Sequence, residues 1–269
     1  MNEATRRIVA TRFGQMHARL RGRLDDPERL PLVLLHMSPR SSQMFMALQA
    51  LLPRPTVALD RLGYGFSDAP RRSMTVADYA SATLEALDAL ELNGPFDVLG
   101  VHTGSLEAIE LAHLAPLRVR RAAVVAIPCF TAEENASGLE TFAKMQVTPT
   151  EDGSHLLPAW QGRFAYRKPP YDLADVQRRF VDYLLCASPG AAYSAVFRYD
   201  GGSRLQTLPV PFVGFAPRDD LYEITLRSKS SMPPGGVYVD LPEFELDFLR
   251  TDTAAFAQLL EQHVPAART

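Results

Sequence analysis

The chain has 269 residues, 46% of them hydrophobic and 22% charged, enough to bury a full core in one domain. A formal net charge of −3 excludes the basic footprint of a nucleic-acid-binding protein. The two cysteines, Cys129 and Cys186, lie too far apart to read as a disulfide framework, and no apolar run is long enough to span a membrane. The first residues lack the apolar stretch of a signal peptide, so the expectation is a cytoplasmic protein.

In chain order, Met16, Ala18 and Leu20 alternate within residues 12–22, the pattern of a half-buried strand. Residues 31–36 and 57–59 are short continuous apolar runs, the pattern of strands covered on both faces. Between them lie a loop (Met37, Ser38, Pro39, Arg40) and a helical pattern carrying Phe45, Met46, Leu48, Leu51 and Leu52. The second run leads into a glycine-bearing loop, residues 60–68. Thr75 and Asp78 predict a capping box at the start of the next helix. Residues 96–100 predict a strand, and a helix follows it almost at once. Residues 122–127 predict another strand. Alternating strands and helices with short connections predict a parallel sheet flanked by helices.

From Cys129 to about Arg204 the rhythm changes to aromatics, prolines and charges, among them Trp160, Phe164, Tyr166, Pro169, Pro170 and Tyr171. One amphipathic helix presents Leu173, Val176, Phe180 and Leu184, and Tyr193 and Phe197 mark a second. The reading is a helical insertion, 129–204, between two parts of a core, 1–128 and 205–269. Strands return at 210–216 and 236–241, and a helix with Phe256, Leu259, Leu260 and Val264 closes the chain.

The stretch Gly100-Val101-His102-Thr103-Gly104 places two glycines at the spacing of the nucleophile elbow G-x-S-x-G, with His102 where a nucleophile stands. Together with Leu35-His36-Met37-Ser38-Pro39, the loop Asp60-Arg61-Leu62-Gly63-Tyr64-Gly65-Phe66-Ser67-Asp68 and Pro217-Arg218-Asp219-Asp220, it resembles the α/β-hydrolase superfamily of the helical-cap type. The resemblance implies an α/β-hydrolase fold with an inserted cap. It also implies an oxyanion hole made by the backbone amides of Ser38 and Thr103. The triad is degenerate: His102 replaces the serine, and Leu246 stands where the usual histidine would fall. The acid is expected at Asp220, with Asp219 as the other choice.

Imidazole is a competent general base. The expected chemistry is therefore a His102–Asp220 pair acting on a small carbonyl-containing substrate. It would activate water for hydrolysis, or remove a proton toward C–C cleavage or elimination. The alternative is a non-catalytic ligand-binding relative. Met37, Arg40, His155, Trp160 and Leu246 are the expected pocket residues. No cofactor is expected: the sequence carries no dinucleotide fingerprint and no metal-spaced cluster of His and Cys. The expected partner is a small-molecule substrate, with neither nucleic acid nor membrane, and a homodimer is allowed.

Overall fold

The computed structural model describes residues 4–142, 144–146, 148–165, 169 and 171–267. Tyr166 and Pro170 lie outside the described residues. Among the described residues, eight strands form one sheet: β1 (Thr5–Thr11), β2 (Gly14–Arg21), β3 (Leu32–Leu35), β4 (Thr56–Leu59), β5 (Phe96–Val101), β6 (Val119–Val125), β7 (Phe212–Arg218) and β8 (Val237–Glu245). Their order is β1-β2-β4-β3-β5-β6-β7-β8. The first two strands form an antiparallel hairpin, β2 joins β4 antiparallel, and all later pairings are parallel. The continuous apolar runs β3, β4 and β5 are buried at every residue, as strands covered on both faces must be.

Helices α1 (Met46–Leu51), α2 (Val76–Ala89) and α3 (Thr103–Leu114) follow β3, β4 and β5. Thr75 and Asp78 close the reciprocal capping box at the start of α2. Between β6 and β7 lie α4 (Ala132–Thr141), α5 (Leu156–Gln161), α6 (Leu173–Leu184), α7 (Pro189–Val196) and α8 (Gly201–Gln206). Leu205 of α8 is fully buried in the core shared with α3. Then α9 (Tyr222–Arg227), α10 (Phe248–Thr251) and α11 (Thr253–His263) complete the chain. Two apolar layers result. Leu106, Ile109 and Leu111 of α3 anchor one, and Phe215, Phe256 and Leu260 anchor the other.

The hairpin strand β1 has no counterpart in the sequence reading. Most of its residues are exposed on both faces, so it carries no apolar alternation to detect. Among the described residues, no helix is long and apolar enough to cross a membrane.

Candidate active site

The elbow is built by close backbone approach. A Cβ on Gly100 would fall onto the Gly104 carbonyl, and one on Gly104 would fall onto the Leu35 carbonyl. Only glycine lets the start of α3 sit this tightly against β5 and β3. The connecting residue, His102, is held at φ 51°, ψ −116°, outside the ordinary regions for a side-chain-bearing residue. Such a conformation persists only where the surroundings enforce it. Here the His102 amide bonds the Val125 carbonyl at 2.9 Å, and its carbonyl accepts from the Ser105 amide at 2.8 Å.

His102 Nε2 lies 2.8 Å from Asp219 Oδ2. The expected partner, Asp220, does not make this contact. Strand β7 ends in a tight turn in which the Asp219 amide bonds the Pro217 carbonyl at 2.9 Å. Asp219 is thereby carried beneath the ring, where its side chain is 1% exposed. Its second oxygen accepts the Leu221 amide at 2.9 Å. Asp220 is exposed and lines the cavity. The acid paired with the imidazole is therefore Asp219.

The carboxylate is an acceptor, so Nε2 carries the proton in this pair and the neutral ring presents its lone pair on Nδ1. No described residue bonds Nδ1, and it is not sealed from solvent. Burial is the largest single influence on the His102 pKa and lowers it. The Asp219 charge, its hydrogen bond and the Asp220 charge together outweigh burial, so the net shift is upward.

His102 lines a cavity of about 720 Å³. Of the expected pocket residues, Met37, Arg40 and Leu246 line it, as do Ser38 and Thr103. Arg40 is not a free surface arginine: its Nε donates to Asp182 of α6 at 3.0 Å. His155 and Trp160 do not line the cavity. His155 Nδ1 accepts from the Thr150 amide at 3.1 Å. Trp160 packs edge-on against Phe164 and Phe180. Helix α5, which follows His155 and carries Trp160, buries none of its residues and so turns neither toward the core. The cavity wall is formed instead by Phe130, Phe142, Tyr193 and Phe197, together with Arg163 and Arg179.

The loop after β3 rests on a buried polar network. His36 Nε2 accepts the Arg61 amide at 2.9 Å, and Nδ1 donates to the Met37 carbonyl at 2.8 Å. Burial, reinforced by the Arg61 charge, lowers the His36 pKa to about 3, so the ring is a neutral support. The Arg61 guanidinium reaches Glu107 Oε2 at 2.8 Å, Ser38 Oγ at 3.1 Å and the His36 carbonyl at 3.0 Å. Thr83 Oγ1 donates to the other Glu107 oxygen at 2.6 Å.

This network changes the expected oxyanion hole. The Ser38 amide is not open: it donates to Thr103 Oγ1 at 2.8 Å. The Thr103 hydroxyl in turn donates to Ser38 Oγ at 3.2 Å. The Thr103 amide is in the first turn of α3, where helices leave N–H groups without intrahelical acceptors. A side chain at the residue after the elbow thus covers one of the two expected donors.

His102, Asp219 and Asp220 each offer a ligating atom within 4.8 Å of the others, and they form the one such group among the described residues. One imidazole and two carboxylates suit a divalent cation chemically. A cation bound by Nε2 and Asp219 would have to replace their 2.8 Å hydrogen bond. Spacing along the chain does not reveal this group, because 117 residues separate His102 from Asp219; the resemblance to the hydrolases is what pairs His102 with this acidic turn.

The family described as the alpha/beta hydrolase fold matches residues 31–176, more than half of the chain. The chain belongs to the alpha/beta hydrolase fold family. Solved structures of this hydrolase fold agree. A hydrolase from Pseudomonas aeruginosa PA01 superposes with a TM-score of 0.79 at 21% identity, covering 98% of this chain and 100% of the other. The enol-lactonase from Burkholderia xenovorans LB400 gives 0.77 at 18% identity, covering 96% and 99%. An esterase from Exiguobacterium antarcticum gives 0.76 at 18%, covering 96% and 99%. No curated protein matches this hydrolase-fold sequence.

Proposed function

We propose that this hydrolase-fold protein is an enzyme in which the His102–Asp219 pair serves as general base on a small, largely apolar carbonyl compound. The observation that carries the reading is the elbow imidazole itself. It stands at a strained, enforced position on the cavity wall, with one nitrogen bonded to a buried carboxylate and the other open. The carboxylate fixes the tautomer and stabilises the imidazolium that proton transfer creates. Nδ1 would take a proton from water, and the resulting hydroxide would attack the carbonyl directly. This route needs no acyl-enzyme, because the nucleophile position of the elbow carries an imidazole in place of a hydroxyl. Proton abstraction from the substrate, leading to C–C cleavage or elimination, uses the same base. Esters and lactones are the first class to test, since structural neighbours include an esterase and an enol-lactonase.

Turnover of activated esters, lactones and β-diketones by the intact protein, His102→Ala and Asp219→Asn tests this. General-base catalysis contributes on the order of 10²–10⁴ in rate. A fall of at least about a hundredfold in both variants is expected. Turnover that survives both substitutions would remove the pair from the mechanism.

A second reading has an observation of its own. With Thr103 Oγ1 on the Ser38 amide, half of the expected oxyanion hole is covered. That favours a ligand-binding relative that retains the pocket without turnover. Saturable ligand binding with no product from any of the three substrate classes would decide for it.

A further inference from the structure

The cavity lining is of two chemical kinds. Phe130, Phe142 and Phe197 form an aromatic wall, with ring centroids 5.0 Å apart for Phe130–Phe197 and 6.0 Å for Phe142–Phe197. Arg40, Arg163 and Arg179 also line it, from the loop after β3 and the inserted segment.

Arg40 differs from the other deeply placed arginines in how its donors are used. Arg54 directs its guanidinium to the Leu30 and Val264 carbonyls and to Asp97. Arg61 has protein acceptors for Nε and both Nη groups. Arg179 gives its two Nη groups to Asp247 and Asp175. Arg40 gives only Nε, to Asp182 Oδ2 at 3.0 Å. Neither Nη group of Arg40 has an acceptor among the described residues, and neither is sealed from solvent. The side chain is 14% exposed and lines the cavity, while Asp182 is 1% exposed. Ser41 Oγ donates to the other oxygen of Asp182 at 2.6 Å, which fixes the carboxylate and through it the plane of the guanidinium. A guanidinium anchored at Nε presents a pair of parallel donors from its far edge, the geometry that receives a carboxylate at two points.

We propose that Arg40 anchors a carboxylate on the substrate, which makes the substrate class an oxo acid, or the half-ester or lactone of a dicarboxylic acid, with an apolar body against Phe130, Phe142 and Phe197. This rests on the cavity being the substrate site of the proposed function. Arg40 and His102 line the same cavity, so one bound molecule can meet both. Asp220, Glu133 and Glu134 also line the cavity and repel an anion. The acid head is therefore directed to Arg40 and the reacting carbonyl to His102.

Calorimetric binding to the His102→Ala variant tests this separately from catalysis. The probes are 4-oxo-4-phenylbutanoate and its methyl ester. The acid is expected to bind about tenfold or more tightly than the ester, the scale of one charge-assisted pair. Adding Arg40→Gln should abolish that preference, and Arg40→Lys, which keeps charge but loses the fork, should diminish it. Because Arg40→Gln strands the buried Asp182, the Arg40→Gln/Asp182→Asn pair is measured beside it, with melting temperatures for each. Equal binding of acid and ester, no binding of either, or a preference that survives the loss of Arg40 in a folded variant overturns the proposal. Turnover that survives in His102→Ala with this preference intact would remove the general base and leave Arg40 assigned.

Discussion

At the scale of single residues, His102 sets the pH behaviour. Its native pKa is raised above the ordinary 6.5 by Asp219 and Asp220, against burial. A general base must be neutral, so kcat/KM should rise with pH along an acid limb centred above 6.5. Asp219→Asn removes the main opposing charge and leaves burial, which lowers the pKa; the limb should move acidward in whatever activity remains. A pH–rate series on both proteins checks this, and a limb that stays in place would mean His102 is not the titrating group. The linked stability has a fixed sign. A raised native pKa stabilises the fold below the unfolded value of about 6.5. That contribution is lost as pH rises through the native value. The glycine spacing made the position of His102 legible in the sequence, because a turn this tight tolerates little else. Its partner was less legible. Asp219 and Asp220 are adjacent and identical in chemistry, and only the turn after β7 decides which one lies under the ring.

At the scale of elements, the first turn of α3 and the loop after β3 are coupled through Thr103. Thr103→Ala removes the hydroxyl that holds the Ser38 amide. One oxyanion donor is worth on the order of 10²–10³ in kcat. Turnover of an activated ester should therefore rise by about tenfold or more in Thr103→Ala, at a cost near 1 kcal/mol for the lost contact. Steady-state kinetics with a urea titration would show both, and unchanged or reduced kcat would mean the Ser38 amide is not used. The same scale explains the uneven reading of the sheet. Strands β3, β4 and β5 announce themselves as apolar runs because both faces are covered. Strand β1 is an exposed edge and has no such signature. In the inserted segment, helices α5 and α6 face one another's side chains as well as solvent, so composition alone does not tell which aromatics meet the cavity. Composition therefore puts Trp160 and His155 in the pocket, reads Phe197 only as the mark of a helix and leaves Phe130 out. Glu107 did leave a signal, a carboxylate on the buried face of an apolar helix, which calls for a cationic partner.

At the scale of the whole molecule, that partner is Arg61, and the pair joins α3, the loop after β4 and, through Thr83, α2. Both side chains are 3% exposed. Glu107→Ala leaves a buried guanidinium without its counter-charge, a loss of about 3–5 kcal/mol. Equilibrium urea denaturation should show it as a lower midpoint, and a change below about 1 kcal/mol would mean water enters to replace the carboxylate. The inserted helices are tied to this same centre. Asp182 of α6 grips both Arg40 and Ser41, the Tyr193 hydroxyl of α7 donates to the Ser38 carbonyl at 3.1 Å, and the Ala187 amide donates to the Gly63 carbonyl at 2.9 Å. Three fastenings make α6, α7 and the loop carrying Ser38 one mechanical unit. Moving α6 away from that loop breaks the Arg40–Asp182 ion pair, whose carboxylate is 1% exposed. Any displacement of α6 instead pulls on the loop carrying Ser38, which lines the same cavity as His102.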